Sequence, residues 1–245
     1  MTSRLDGPSV PPASGTARQL VVLVHGYGAD GNDLIALAPH LQDALPDAAF
    51  VAPDGPEPCG MSPMGRQWFA IDFDDPSRMS NDPHQAMERF SRMDGAADEV
   101  APLLNTFLDE ELKRNGLGPE ALALVGFSQG TMMSLHVGLR RNPPPAAILG
   151  FSGALLGPER LLRESVAPVP VQLVHGDSDD LVPPLAMFAA AGSLGRAGVP
   201  VGFHISRGIG HGIAPDGIGI AARHLRQAFE GRLSVQPPVS SPWPG

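Results

Sequence analysis

Leu122, Ala123, Leu124 and Val125 form an apolar run with no polar alternation. That is the pattern of a strand buried on both faces. The run breaks at Gly126-Phe127-Ser128-Gln129-Gly130, a G-x-S-x-G pattern, and resumes as a helix candidate through Ser134, Leu135, Val137 and Leu139. A strand that turns sharply into a helix has no room for Cβ atoms two positions either side of its apex, and glycine stands at both. Ser128, at the apex, must tolerate strained backbone angles. The helix that follows points its dipole and free N–H groups at a place where negative charge can develop. In a chain with 29 Gly the five-residue pattern also arises by chance, as a turn with a surface serine. The strand before and the helix after are what set a reactive serine apart.

The rest of the chain supplies the frame for this turn. Gln19–Val24, Phe50–Pro53, Ala146–Gly153, Val169–His175 and Val201–Ser206 read as further buried strands. Asp30 or Asn32 can cap a helix through Leu34, Leu37, Ala38 and Leu41. From about His84, the residues Ala86, Phe90, Met93, Ala97, Val100, Leu104, Phe107 and Leu112 recur at helical spacing. They predict a long amphipathic helix, bent near Gly95 or Pro102 and closed by Lys113-Arg114-Asn115-Gly116. Pro184 to Ala197 reads as helix, and Ile218, Ala221, Ala222, Leu225 and Phe229 mark a last one. Strands alternating with helices predict an α/β fold, a mostly parallel sheet with helices on both faces. Sites in such sheets lie beyond the carboxyl ends of the strands. Periodicity disappears over 54–79, which reads as a long irregular loop, functional and held by its Met, Trp and Phe content.

Composition bounds the rest. A chain of 245 residues with 42% hydrophobic content suits one α/β domain, placed at 19–233, between a disordered segment 1–18 and a disordered tail 234–245. The net charge of −9, without a basic patch, argues against nucleic acid as a partner. Cys59 is the sole cysteine, so no intramolecular disulfide forms, and it reads as a small loop residue. No run approaches the roughly 20 apolar residues of a membrane span, so no stable membrane insertion is expected. The first 18 residues lack the apolar core of a signal peptide, and a cytoplasmic location is the default.

A nucleophilic Ser128 needs a base and a group that orients the base. The loop after the 169–175 strand offers Asp177, Asp179 and Asp180, and the pattern of alternating elements does not choose among them. The loop after the 201–206 strand offers His211 between Gly210 and Gly212. His40, His84, His136 and His224 fall on predicted helices and read as solvated or packing residues. His204 lies within a strand and His175 at a strand end, and His25 shapes the glycine loop that follows it. The order serine, acid, histidine is that of the α/β-hydrolases.

Five segments carry a closer likeness. They are Leu23-Val24-His25-Gly26-Tyr27-Gly28-Ala29-Asp30-Gly31, Arg66-Gln67-Trp68-Phe69, Gly126-Phe127-Ser128-Gln129-Gly130, His175-Gly176-Asp177-Ser178-Asp179-Asp180-Leu181-Val182-Pro183 and Gly210-His211. In this order, over roughly 19–231, the sequence resembles the carboxylesterase/phospholipase family of α/β-hydrolases, which includes bacterial carboxylesterases and acyl-protein thioesterases. The resemblance implies a Ser128, His211, Asp179 triad, with the acid assigned by the H-G-x-x-D-x-x-V-P alignment. It puts the oxyanion N–H donors at Tyr27 and Gln129 and sets Trp68 and Phe69 on the acyl site. Met61 and Met64, with Leu181, Val182 and Ile213, would extend an apolar acyl wall, or else pack the loop onto the domain. Thr131 stands where many relatives carry a third glycine, and is expected to crowd the turn slightly without touching the chemistry.

The implied activity is that of a serine carboxylesterase acting on short- to medium-chain esters, with a small-molecule ester as substrate. No cofactor and no metal is implied, since the carboxylates do not cluster with histidines at ligand spacing. Acyl-protein thioesterase or lysophospholipase activity uses the same residues. A dienelactone-type hydrolase carries cysteine at the elbow. A non-catalytic receptor on this fold usually lacks a triad member. A homodimer is an option by family analogy.

Overall fold

The computed structural model describes residues 4–60, 62, 64–71, 85, 88, 90 and 92–233. Its centre is a seven-stranded sheet of β1 (Ser9–Val10), β2 (Gln19–Val24), β3 (Ala48–Val51), β6 (Leu122–Phe127), β7 (Ala147–Phe151), β8 (Val171–Gly176) and β9 (Val201–Ser206). The spatial order is β1-β3-β2-β6-β7-β8-β9, antiparallel only at β1·β3. The elbow strand β6 is thus central, which is why its side chains are apolar on both faces.

The strand pleat sorts the core. On β2 and β6, Val21, Leu23, Ala123 and Val125 face one cluster, completed by α1 (Gly31–Ile35), α2 (Ala38–Gln42) and α7 (Pro215–Phe229). Leu20, Val22, Val24, Leu122 and Leu124 face the other, completed by α3 (Asp94–Asn115) and α4 (Gln129–Gly138). A third cluster joins α4 and α6 (Leu185–Arg196) to Ile148, Val171 and Leu173 of β7 and β8. Helices therefore cover both faces, as the alternation predicts. The short α5 (Pro158–Leu161) sits between β7 and β8 in the chain.

Several expectations change. In the described part of the N-terminal segment, 4–18, the chain is not a loose lead-in. Ser9 and Val10 pair with Val51 and Phe50, and Leu5 is buried in the core. A strand of two residues among prolines has no periodicity to read. The long helix starts at Asp94, because Met93 leaves helical geometry at φ −91°, ψ 6°. Pro102 lies inside it, and Gly116 closes it in the left-handed region, its N–H on the Leu112 and Lys113 carbonyls. His84 and Ala86 lie outside the described residues, as does the 234–245 tail. Within the irregular 54–79 segment, β4 (Glu57–Pro58) and β5 (Arg66–Gln67) form a small antiparallel pair. Among the described residues no helix is long and apolar enough to cross a membrane.

Two measurements probe this packing. Gly192 is exposed on α6, and a Cβ there meets nothing within 4 Å. Gly192→Ala is expected to raise stability by about 0.5–1 kcal/mol in urea unfolding, by relieving the helix of glycine's chain entropy. A lower midpoint would count against the helix assignment. His136 and His224 are buried on α4 and α7, and burial pushes both imidazoles below their ordinary range, with Arg140 adding to it at His136. The unfolded chain then binds protons that the folded chain refuses, so these groups lower stability as pH falls below about 6.5. His136→Gln should therefore lose less of its urea midpoint than the wild type between pH 7.5 and pH 5.5; an equal or larger loss contradicts this.

Candidate active site

The site is built at the carboxyl ends of β2, β6, β8 and β9. Ser128 sits at φ 54°, ψ −116°, the strained apex between β6 and α4. A Cβ on Gly126 would lie 2.4 Å from the Gly130 and Thr131 backbone, and one on Gly130 would lie 1.8 Å from the Val24 carbonyl oxygen. Only glycine at both positions allows the turn to close against β2. The Ser128 N–H donates to the Phe151 carbonyl at 2.8 Å, and the Ser128 carbonyl accepts from the N–H groups of Thr131 and Met132.

His211 meets this apex. Its Nε2 lies 2.9 Å from Ser128 Oγ and its Nδ1 lies 2.8 Å from Asp179 Oδ2. The Phe127 ring supports the imidazole, at a centroid distance of 5.0 Å. Asp179 is 5% exposed, and its Oδ1 accepts from the N–H groups of Leu181 and Val182 at 3.0 and 2.9 Å. Burial would raise the Asp179 pKa. The hydrogen bonds from His175, His211 and the Val182 N–H outweigh it, so the carboxyl is held well below the usual carboxylate range. A carboxylate only accepts, so Nδ1 of His211 carries the proton and the Nε2 lone pair faces Ser128. In this tautomer Nε2 can accept a hydrogen bond from the hydroxyl.

Of the three acids left open by the sequence, Asp179 therefore reaches His211. Asp177 instead ties the two loops together. Its Oδ1 accepts from Gly208 N–H at 2.7 Å, its N–H donates to Ser206 O, and Ser178 N–H donates to Ile209 O. Asp180 is exposed. His175 is the contributor that residue types alone did not single out. Its Nε2 lies 2.7 Å from the Val182 carbonyl, which can only accept, and 3.2 Å from Asp179 Oδ2. The buried Nε2–H is thus shared between them. The signal was present in the sequence, since His175 opens the same H-G-x-x-D-x-x-V-P segment.

His25 shapes the loop after β2. Its Nδ1 donates to the Gly26 carbonyl at 2.7 Å and its Nε2 accepts from Gly55 N–H at 2.8 Å. Burial lowers its pKa, in keeping with this neutral form. Gly26, the residue before Tyr27, lies close enough to the elbow that a Cβ there would be 3.3 Å from Ser128 Cβ. Gln129 is the first residue of α4, so its main-chain N–H has no acceptor within the helix.

The Gln129 side chain has a structural part of its own. Its Oε1 accepts from Trp68 N–H at 3.0 Å and its Nε2 donates to Phe69 O at 2.7 Å. Trp68 Nε1 donates to His25 O at 2.9 Å. Trp68 is fully buried (0% exposed) and Val182 nearly so, both within the core. Neither offers surface to an acyl chain, and each packs its loop instead. Phe69 is also buried, Ile213 is half-buried against the α7 side, and Leu181 (57%) and Met64 (83%) are exposed. Met61 lies outside the described residues. A cavity of about 400 Å³ opens beside Tyr27, lined also by Asp30, Asp33, Ser62 and Met64. Among the described residues no group of three or more His, Cys, Asp or Glu is placed to hold a metal ion.

Gln129→Glu tests the amide clamp. It puts a carboxylate oxygen against the Phe69 carbonyl in a buried site, and is expected to cost about 1–3 kcal/mol in thermal unfolding followed by tryptophan fluorescence. An unchanged midpoint would remove the clamp from the account.

Comparison with known proteins identifies the family of the chain. Residues 5–229 match the phospholipase/carboxylesterase family. The chain is 29% identical over 211 residues to esterase YpfH of Escherichia coli (strain K12), covering 86% of this chain and 83% of that one. It is 26% identical over 229 residues to acyl-protein thioesterase 1 of Saccharomyces cerevisiae, covering 87% and 94%. The crystal structure of esterase PE8 superposes with a TM-score of 0.81 at 42% identity, over 92% of this chain and 100% of that one. The fold is that of an α/β-hydrolase, and the chain belongs to the phospholipase/carboxylesterase family, hydrolases that act on ester bonds.

Proposed function

We propose that the protein is a serine carboxylesterase that cleaves short- to medium-chain carboxylic esters through an acyl-enzyme on Ser128. The observation that carries this is the continuous line from Asp179 Oδ2 through both nitrogens of His211 to Ser128 Oγ.

His211 Nε2 takes the hydroxyl proton as Ser128 Oγ attacks the carbonyl carbon, forming the C–O bond of a tetrahedral intermediate. The imidazolium is stabilised by Asp179, whose carboxylate is held ionised by the donors around it. The main-chain N–H groups of Tyr27 and Gln129 receive the oxyanion. Each such donor is typically worth on the order of 100- to 1000-fold in rate. His211 gives its proton to the leaving alcohol as the ester C–O bond breaks. It then takes one from water as the water oxygen attacks the acyl carbon, and gives it to Ser128 Oγ as the acyl C–O bond breaks and the acid leaves. Leu181 and Ile213, with Met64, supply apolar surface for the acyl chain, at roughly 0.8 kcal/mol per buried CH2.

A second reading, acyl-protein thioesterase activity, draws on the yeast relative of that name. It uses the same nucleophile and differs in the leaving group, a thiol. Turnover of p-nitrophenyl butyrate, p-nitrophenyl octanoate, an acyl thioester and a lysophospholipid by wild type and Ser128→Ala separates the readings. The esters are expected to turn over fastest, and Ser128→Ala to lose on the order of 10,000-fold or more in kcat. A kcat for Ser128→Ala within about tenfold of wild type would sink the assignment. Tyr27→Ala should cost far less than Ser128→Ala, because its donor belongs to the main chain. Asp179→Asn should fall on the order of 10,000-fold, by favouring the wrong His211 tautomer.

A further inference from the structure

We propose that Thr131 is a positioning residue for Ser128, a strut that locks the elbow onto β7; this rests on Ser128 being the nucleophile. Thr131 is 1% exposed in the first turn of α4. Its Oγ1 lies 2.8 Å from the Phe151 carbonyl and 2.9 Å from the Gly126 carbonyl. The Phe151 carbonyl also accepts the Ser128 N–H at 2.8 Å. One oxygen at the end of β7 is thus held by the nucleophile's own amide and by the hydroxyl three residues on.

An ordinary buried helical threonine bonds back to a carbonyl three or four residues earlier in its own helix. Thr131 does not. Its partners are the glycine two positions before the apex and a residue on the neighbouring strand, so the hydroxyl ties helix, turn and sheet together. Both partners are carbonyls, so the single hydroxyl proton is shared between them.

The methyl group completes the strut. A Cβ on Gly150 would lie 2.4 Å from Thr131 Cγ2, and one on Gly153 would lie 2.4 Å from Thr131 Cβ and 2.9 Å from the Ser128 carbonyl. Thr131 therefore fills the space that these two glycines leave empty. The expected crowding of the turn is absent, because β7 and the loop after it give way at Gly150 and Gly153. Between them Ser152 holds φ 45°, with its N–H on the Val174 carbonyl. The end of β7 is itself strained, and Thr131 braces it from the α4 side. The residue touches no reacting atom. Its part is to hold Ser128 Oγ on the His211 lone pair, so its loss falls on kcat, since a displacement of an ångström at a reacting group costs up to about 100-fold.

The test measures kcat and KM on p-nitrophenyl butyrate, the rate of Ser128 labelling by a fluorophosphonate, and the circular dichroism spectrum. Thr131→Val removes the hydroxyl and keeps the shape. It is expected to lower kcat and the labelling rate about 10- to 100-fold with KM within about twofold. Thr131→Ser restores the hydroxyl and should recover kcat to within about threefold of wild type. Gly150→Ala should lower kcat alone, by its clash with the Thr131 methyl, and should be relieved when combined with Thr131→Ser, which drops that methyl and keeps the hydroxyl. A folded Thr131→Val with wild-type kcat, or with KM raised as much as kcat is lowered, overturns the proposal while an inactive Ser128→Ala leaves the nucleophile standing. An active Ser128→Ala overturns both. Should Thr131→Val fail to fold, the Gly150→Ala pair decides, and no relief in the double variant overturns the strut.

Discussion

Ser128 occupies φ 54°, ψ −116°, backbone angles that cost a residue with a Cβ about 1–3 kcal/mol and persist only where the surroundings enforce them. The enforcement comes from three neighbouring strands. β2 presents the Val24 carbonyl, against which only a glycine at 130 can lie. β6 carries Gly126 one residue before its end, close under the Gly130 backbone. β7 supplies the Phe151 carbonyl that holds the Ser128 amide. The parallel register Val24↔Gly126 and Phe127↔Phe151 brings these three ends level. The hydrophobic core exists on both faces of these strands, so the strain at one turn is carried by the best-packed part of the molecule.

Asp179 and His211, the proposed acid and base, are held by a different device. Their loops leave β8 and β9, which pair through His175↔Ile205 and Gly176↔Ser206, and the loops are then cross-linked by Asp177, Ser178 and Ile209. Farther on, Ser206 Oγ and His204 Nε2 both donate to the Asp216 carboxylate at the start of α7. The His211 segment is thereby fixed at both ends. Asp179 receives two main-chain N–H groups on one oxygen and two imidazoles on the other. Four donors around a buried carboxylate offset the desolvation that would otherwise neutralise it. The ionised Asp179 then fixes the His211 tautomer, which turns the Nε2 lone pair toward Ser128 Oγ.

Much of this was legible in the sequence, and the remainder was hidden for identifiable reasons. The buried strands were visible because β2 and β6 sit in the middle of the sheet, where Val21 and Val22 face opposite cores and neither face admits a polar residue. The elbow was visible because its glycines are adjacent in the chain to the serine they serve. β1 was hidden, since two residues carry no period and their pairing with Val51 and Phe50 is made across 40 residues of chain. Trp68 and Val182 suggested an acyl wall because apolar residues in loops look alike whether they face a ligand or the core. Only burial separates the two, and it places both inside. Thr131 looked like crowding because the glycines that accommodate it, Gly150 and Gly153, lie some twenty residues on and meet it only in the fold.

The central claim is that Ser128 Oγ forms a covalent bond with the acyl carbon of an ester. Intact-protein mass spectrometry on enzyme acid-quenched within milliseconds of mixing with p-nitrophenyl butyrate, followed by peptide mapping, reads that bond directly. The account predicts a single butyryl adduct on the peptide containing Ser128, decaying as butyrate is released. An adduct mapping to another residue, or ester turnover with no adduct trapped even when deacylation is slowed, would contradict it.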